Sequence, residues 1–323
     1  MNTLDAQQAN QFAEIFSKIV DNVEQAVLGK RHVIRLALTC MLSEGHMLLE
    51  DYPGTGKTML AKALANSVQG TNSRIQFTPD LLPSDVTGVT IYDQRSGQFT
   101  FHQGPVFATV VLADEINRAS PKTQAALLEV MEEGTVTTDG TRHDVGHPFM
   151  VIATQNPIEQ AGTYRLPEAQ LDRFLMKSSV GYPDHESMVA LLNQAATRDR
   201  SAAIQPIVTA SVISDMARRA DTVHVDASVL AYVSRIAEES RQARHVRLGL
   251  SVRGCLGFVR CAKTWAAADG RHYVVPDDIK ELALPVLGHR ILLDAEAEFS
   301  GVTVEDVVGG ILAEVQPPAA RAA

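Results

Sequence analysis

The segment Pro53-Gly54-Thr55-Gly56-Lys57-Thr58 constrains this chain more than any other. A short apolar run, His46–Glu50, precedes it, and helical periodicity over 57–68 follows. A strand, a tight glycine loop and a helix in that order predict a phosphate-binding loop. Glycines let backbone N–H groups turn inward and approach phosphate oxygens with no Cβ in the way. The positive end of the following helix points at the same anion. Lys57 is expected to reach the β- and γ-phosphates of a nucleotide, and Thr58 to ligate Mg2+ through its hydroxyl. Pro53, Gly54, Thr55, Gly56 and Met59 complete the expected nucleotide contact. The strict motif carries glycine five residues before Gly56; this chain has Asp51 there.

Such a loop needs a sheet around it, and the chain supplies strands. Val110–Ala113 and Phe149–Ala153 read as buried strands, Arg74–Phe77 as another, and Leu175–Val180 as a fifth. Helical stretches near 8–27, 31–43 and 121–133 alternate with them, the last opened by Ser120 as N-cap and Pro121 in its first turn. That alternation predicts a mostly parallel sheet covered on both faces. Two hairpins interrupt it, one over about 88–102 around Ser96-Gly97 and one over about 135–145 around Asp139-Gly140. Beyond Gly181-Tyr182-Pro183 strand signals stop, and helices follow near 185–197, 209–220, 227–243, 252–268, 276–287 and 303–315. The expected organisation is an α/β P-loop core over 1–183, a connecting helix over 184–204, a smaller all-helical lid over 205–315 and a frayed tail over 316–323. At 323 residues, such a chain can bury about three-quarters of its unfolded surface.

Val110–Glu115 ends in two acids. Asp114 is expected beside the metal, and Glu115, one residue on, where it can polarise the attacking water. A pure nucleotide switch has no need of the second acid, so Glu115 favours hydrolysis. The next buried strand ends in Thr154-Gln155-Asn156-Pro157, which makes Asn156 the expected sensor of the γ-phosphate.

Charge narrows the partners. The formal net charge is −9, which argues against a protein whose task is coating nucleic acid. Residues 198–271 run the other way, with 12 basic side chains against seven acidic ones. They read either as a solvated helix face with pairs such as Arg235–Glu239, or as a surface that meets an acidic neighbour. Cys40, Cys255 and Cys261 are too scattered for a disulfide framework or a four-ligand zinc site. His143 and His147 have ligand spacing for a helix, but Gly146 and Pro148 argue against one there. No apolar run approaches the roughly 18 residues that span a bilayer. The N-terminal stretch carries Asp5 and no apolar signal core, so a cytoplasmic location is expected.

Longer stretches carry a resemblance. Arg74–Gly88 (RIQFTPDLLPSDVTG), Gly104–Phe107 (GPVF), Leu112–Glu133 (LADEINRASPKTQAALLEVMEE) and Ala153–Lys177 (ATQNPIEQAGTYRLPEAQLDRFLMK) resemble the MoxR family of AAA+ ATPases. The resemblance runs from Leu28-Gly29-Lys30 to His289-Arg290-Ile291. It implies ATP held between a P-loop core and a helical lid, with adenine around Leu28 and Gly29. It also implies a homo-oligomeric ring, usually hexameric, with each site completed by a neighbour. Arg173, in Leu171-Asp172-Arg173-Phe174, matches the arginine finger; Arg165, where relatives tend to have Pro, competes for that role. Arg253, in Ser251-Val252-Arg253, matches the second sensor and is expected on the γ-phosphate from the lid side. Val286–Arg290 resembles a late lid signature that usually has Arg at the Gly288 position, and its role stays open. Protein clients and a von Willebrand A-domain partner are implied for a remodelling chaperone. A nucleic-acid motor is the alternative, since related helicases share the first hairpin.

Overall fold

The computed structural model describes residues 3–95, 97–156, 163–193 and 199–318. Two helices, α1 (Ala6–Glu24) and α2 (Arg31–Leu42), lead into β1 (Met47–Glu50), α3 (Lys57–Ser67), β2 (Asn72–Gln76) and a short α4 (Pro83–Thr87). The hairpin β3 (Gly88–Asp93) and β4 (Gln98–Gln103) follows, then β5 (Val110–Asp114) and α5 (Pro121–Glu133). A second hairpin, β6 (Thr135–Thr138) and β7 (Thr141–Asp144), precedes β8 (Met150–Gln155), α6 (Glu168–Leu171) and β9 (Met176–Ser178). The rest is α7 (His185–Asn193), α8 (Ala210–Ala220), α9 (Ala227–Gln242), β10 (Val246–Leu248), α10 (Val252–Ala268), α11 (Pro276–Leu287), β11 (Leu292–Leu293), α12 (Ala295–Phe299) and α13 (Val304–Glu314).

Five parallel strands form the sheet in the order β2-β5-β8-β1-β9. Because successive side chains point to opposite faces, each central strand feeds two cores. Met47, Leu49, Val110, Leu112, Met150 and Ile152 face one; Leu48, Val111, Ala113, Val151 and Ala153 face the other. The carboxyl ends of β1, β5 and β8 lie side by side, so the loops that follow them open on one edge of the sheet.

Local chemistry sets the helix limits. Asp5 caps α1 in a reciprocal box with Gln8, and Phe12, Phe16, Ile19 and Val23 return at three- and four-residue intervals to bury one face. Ser120 accepts from the Thr123 N–H to start α5, and Gly134 ends it in a left-handed turn at φ +64°. Each fully buried Leu or Phe of these faces contributes about 1.5–3 kcal/mol.

The first core does not stop at the sheet. Phe12 and Phe16 of α1 share it with Phe258 and Trp265 of α10 and with Ile279 and Leu282 of α11. The helical part therefore packs directly on the N-terminal helices. Residues 199–208 run along α3, where Asn66 donates to the Ser201 carbonyl at 2.8 Å and Asn22 of α1 to that of Gln205 at 2.8 Å. The expected connecting helix is described only as far as Asn193, and residues 194–198 and 319–323 lie outside the described residues. The lid, expected to be all-helical, also holds a short antiparallel pairing, Val246 with Leu293 and Leu248 with Leu292. The two hairpins touch: the Phe101 ring stacks on His143 with centroids 4.0 Å apart. No helix among the described residues is long and apolar enough to cross a membrane.

Candidate functional site

The P-loop joins the buried strand β1 to α3. Gly54 and Gly56 adopt φ of +84° and +98°, and nothing lies within 4 Å of where a Cβ would stand. Glycine is required here by backbone conformation, not by space. Lys57 Nζ lies over the loop and donates to the Tyr52 carbonyl at 2.7 Å and the Asp51 carbonyl at 3.3 Å. Thr55 is buried, with its hydroxyl on the Tyr52 carbonyl at 3.2 Å.

Asp51 replaces the usual glycine for a visible reason. Its Oδ2 accepts from the N–H groups of Val180 at 2.7 Å and Gly181 at 3.0 Å, and Oδ1 accepts from Tyr52 N–H at 3.0 Å. The carboxylate thus ties the start of the loop to the exit of β9. Beside it Tyr52 stacks on Tyr182, whose carbonyl accepts from Lys30 Nζ at 2.6 Å. Gly29 backs onto Ser187, whose Oγ would lie 2.2 Å from an added Cβ. Leu28 and Gly29 are not among the residues lining the P-loop cavity.

That cavity, of about 400 Å3, is lined by Pro53, Gly54, Gly56, Lys57, Thr58 and Met59 together with Asp114, Glu115, Thr154 and Asn156. The structure thus brings the P-loop, both acids and Asn156 to one place. Asp114 accepts from the Thr154 hydroxyl at 2.6 Å and from Arg74 Nη2 at 2.7 Å. Glu115 sits at φ +57°, uncommon for a residue with a Cβ. Its N–H donates to Thr154 Oγ1 at 2.9 Å, and its Oε2 accepts from Gln76 at 3.0 Å and Arg118 at 2.9 Å. The Thr58 hydroxyl and the Asp114 carboxylate both border the cavity, and such hard oxygen donors beside a phosphate cradle suit Mg2+. No group of three or more His, Cys, Asp or Glu residues that could hold a metal by itself occurs among the described residues. Pro157 lies outside them.

Arg74, Gln76, Thr154 and Arg118 were missed by motif reading. Arg74 and Gln76 sit two apart on β2, hence on one face, and β2 pairs with β5 so that Gln76 is opposite Asp114. That alternation was a signal in the sequence; the strand order that made it meaningful was not.

The two arginines lie elsewhere. Glu132, at the end of α5, holds both: Oε2 pairs with Arg173 at 2.8 Å, and Oε1 with Arg253. They line a separate cavity of about 210 Å3 with Asp172, Arg260 and Arg290, and neither lines the P-loop cavity. Arg253, expected on the γ-phosphate from the lid side, is presented by α10 beside Arg173 and does not line the P-loop cavity of this chain. Beside Arg173 in sequence, Asp172 pairs with Arg290 at 2.7 Å, and Glu168 pairs with Arg247 at 3.1 Å. Arg165 is exposed and outside this cluster. Arg235 and Glu239 do not form the expected pair: Arg235 donates to the Gln316 carbonyl at 3.2 Å, and burial with the Glu314 carboxyl beside it raises the Glu239 pKa.

Comparison with known proteins agrees with this geometry. A profile of the ATPase family associated with various cellular activities (AAA) matches residues 46–176, and one of the AAA lid domain matches 238–311. The chain is 45% identical to the uncharacterised protein YeaC of Bacillus subtilis, over 96% of this chain and 97% of that one. It is 38% identical to Chaperone MoxR1 of Mycobacterium tuberculosis, covering 94% of this chain and 83% of the relative. Protein MoxR of Paracoccus denitrificans is 34% identical, over 84% of this chain and 87% of its own. A crystal structure of a candidate ATPase from Cytophaga hutchinsonii superposes with a TM-score of 0.90 at 37% identity, covering 97% of this chain and 98% of that one. With a parallel P-loop sheet, a helical lid and relatives of this similarity over nearly their whole length, the chain belongs to the MoxR family of AAA+ ATPases.

Proposed function

We propose that this protein hydrolyses ATP to ADP and phosphate, and that it does so in a ring of copies, hexameric in the usual form of the family. The observation that carries the reading is the single cavity on which Lys57, Thr58, Asp114, Glu115 and Asn156 converge. Thr58 and Asp114 are the residues that would hold Mg2+, and the charge it supplies neutralises phosphate oxygens. Lys57, the loop N–H groups and the start of α3 bind the β- and γ-phosphates. Glu115 takes the proton of the attacking water at its carboxylate, held in line by Gln76 and Arg118, while Asn156 orients that water. Leu28 and Gly29 border the base through the neighbouring Tyr182–Ser187 segment.

Arg173 and Arg253 complete the site of the next copy, not their own. Their shared position on Glu132 and their separation from the P-loop cavity support this reading. Paired guanidinium groups neutralise charge that develops on the transferred phosphoryl group. The work of the cycle is remodelling or maturation of protein clients in the cytoplasm, with a von Willebrand A-domain partner. The name of the mycobacterial relative, Chaperone MoxR1, supports the chaperone part of this reading.

Glu115→Gln tests the chemistry. Turnover should fall on the order of 10²–10⁴-fold, as for loss of a general base, while ATP affinity stays within about twofold. Unchanged turnover in a phosphate-release assay would remove Glu115 from the mechanism. The ATP-bound Glu115→Gln protein is also the bait with which to capture a client.

A further inference from the structure

No residue of the late lid segment Val286–Arg290 lines the P-loop cavity, yet the segment makes extensive polar contact with the stretch that carries Arg173. Arg290 is almost fully buried. Its Nε donates to Asp172 Oδ1 at 2.7 Å, and Nη2 to the carbonyls of Phe174 at 2.6 Å and Asp172 at 3.3 Å. Its Nη1 donates to the carbonyls of Leu175 at 3.1 Å and Val286 at 2.5 Å. His289 adds a bond from Nε2 to the Phe174 carbonyl at 2.8 Å. On the other side, the Ser251 hydroxyl donates to Asp172 Oδ2 at 2.8 Å, two residues before Arg253.

The packing of α10 is shaped around this guanidinium. A Cβ on Gly254 would lie 2.9 Å from Arg290 Cδ, and one on Gly257 would lie 2.8 Å from Leu175 Cδ1. The two glycines stand three apart on one helix face, where they let α10 close over Arg290 and over the end of the Asp172–Leu175 segment. Burial lowers the pKa of Arg290, and the Asp172 carboxylate opposes that shift.

We propose that Arg290 is a positioning residue for Arg173: it fixes the backbone on both sides of the finger to the lid, so that Arg173 and Arg253 present a fixed pair to the neighbouring copy. Three of its five bonds go to main-chain carbonyls of residues 172–175, and the fork geometry of arginine spans them in a way a lysine does not. Asp172 is the joint. It takes Arg290 on one oxygen and Ser251 on the other, so the finger loop and the start of α10 move together. The inference rests on the reading of Arg173 as a group offered to a neighbour's site.

Mixing experiments separate the two. Glu115→Gln protein keeps its finger and loses its own chemistry; Arg173→Ala protein has the opposite defect. If the finger acts between copies, mixing these two restores turnover. If that mixture stays inactive, the finger reading fails and the positioning role falls with it. Arg290→Met protein should melt cooperatively, bind a fluorescent ADP within about twofold of the parent, and lose kcat on the order of 10²-fold with little change in KM. It should regain turnover when mixed with Glu115→Gln and gain nothing with Arg173→Ala. Arg290→Lys should recover only part of the loss. Restoration of Arg173→Ala by Arg290→Met would overturn the proposal, because the finger would then be competent without Arg290. Failure to recover with Glu115→Gln would overturn it too, since the defect would lie in the protein's own site. Should Arg290→Met not fold, Asp172→Ala goes through the same mixtures. It removes the shared carboxylate at a partly exposed position, and donor competence in that variant refutes the joint.

Discussion

At the scale of residues, Asp51 shows how a departure from a motif can be a structural commitment. Its carboxylate accepts from three backbone N–H groups, and only 4% of the residue is exposed. Removing it leaves buried donors without acceptors. Asp51→Ala should therefore cost about 3 kcal/mol in denaturant unfolding. Asp51→Gly, which restores the strict motif, should cost as much, because glycine supplies no acceptor either; a neutral result would show that the carboxylate is not what anchors the loop. The P-loop was legible in the sequence because it is contiguous and its glycines are dictated by backbone conformation. Arg74, Gln76, Thr154 and Arg118 were not, since their contacts with the two acids depend on which strands and loops lie side by side. Arg253 stood out in the sequence, but its location did not: that depends on the pairing of the start of α10 with Glu132 at the end of α5.

At the scale of elements, the sheet, the hairpins and the main lid helices follow from periodicity and turn chemistry. The central strands β1, β5 and β8 are short, buried on both faces and bounded by polar residues, which is why they could be read one by one. The contact between hairpins could not, since Phe101 and His143 are far apart in sequence and neither belongs to a motif. Their stack, with Phe107 edge-on at 5.8 Å, is the aromatic link between β4 and β7. Phe101→Ala should loosen the hairpins without unfolding the sheet. Amide exchange in β3 and β4 is expected to accelerate about tenfold, a loss in the range of an aromatic pair, while β5 and β8 exchange as before. Equal acceleration in all four strands would mean that the stack supports the whole core instead. The short β10–β11 pairing escaped notice because two or three residues carry no detectable alternation.

At the scale of the whole molecule, one buried histidine makes stability depend on pH. His46 lies between β1, β8 and the end of α5. Its Nδ1 accepts from Val151 N–H at 3.0 Å, so Nε2 carries the proton and donates to the Met131 carbonyl at 2.9 Å. Burial pushes its pKa down to about 4 from an ordinary 6.5. Between those values the unfolded chain takes up the proton and the folded chain does not. The contribution is complete above the unfolded value and is lost as pH falls toward the folded one, a span worth roughly 3 kcal/mol. His46→Gln, which keeps a donor and an acceptor, should flatten the fall in melting temperature between about pH 6.5 and pH 4. An unchanged slope would assign the acid sensitivity to other groups, such as the buried His289, whose pKa burial also lowers.

The continuity of the larger core across α1, α2, α10 and α11 has a mechanical consequence. A lid that shares its packed interior with the N-terminal helices cannot swing on a linker without opening that interior, because close-packed cores resist continuous deformation. The fold has the build of one stiff block, and the bonds of Asp172 to Arg290 and Ser251 tie the same helical part to the Asp172–Leu175 segment. On the proposed ring reading, the displacement driven by each nucleotide would be taken up at the seams between copies. On that reading a client would be moved by the turning of whole subunits against one another, as a ring of wedges shifts when one gap closes and another opens.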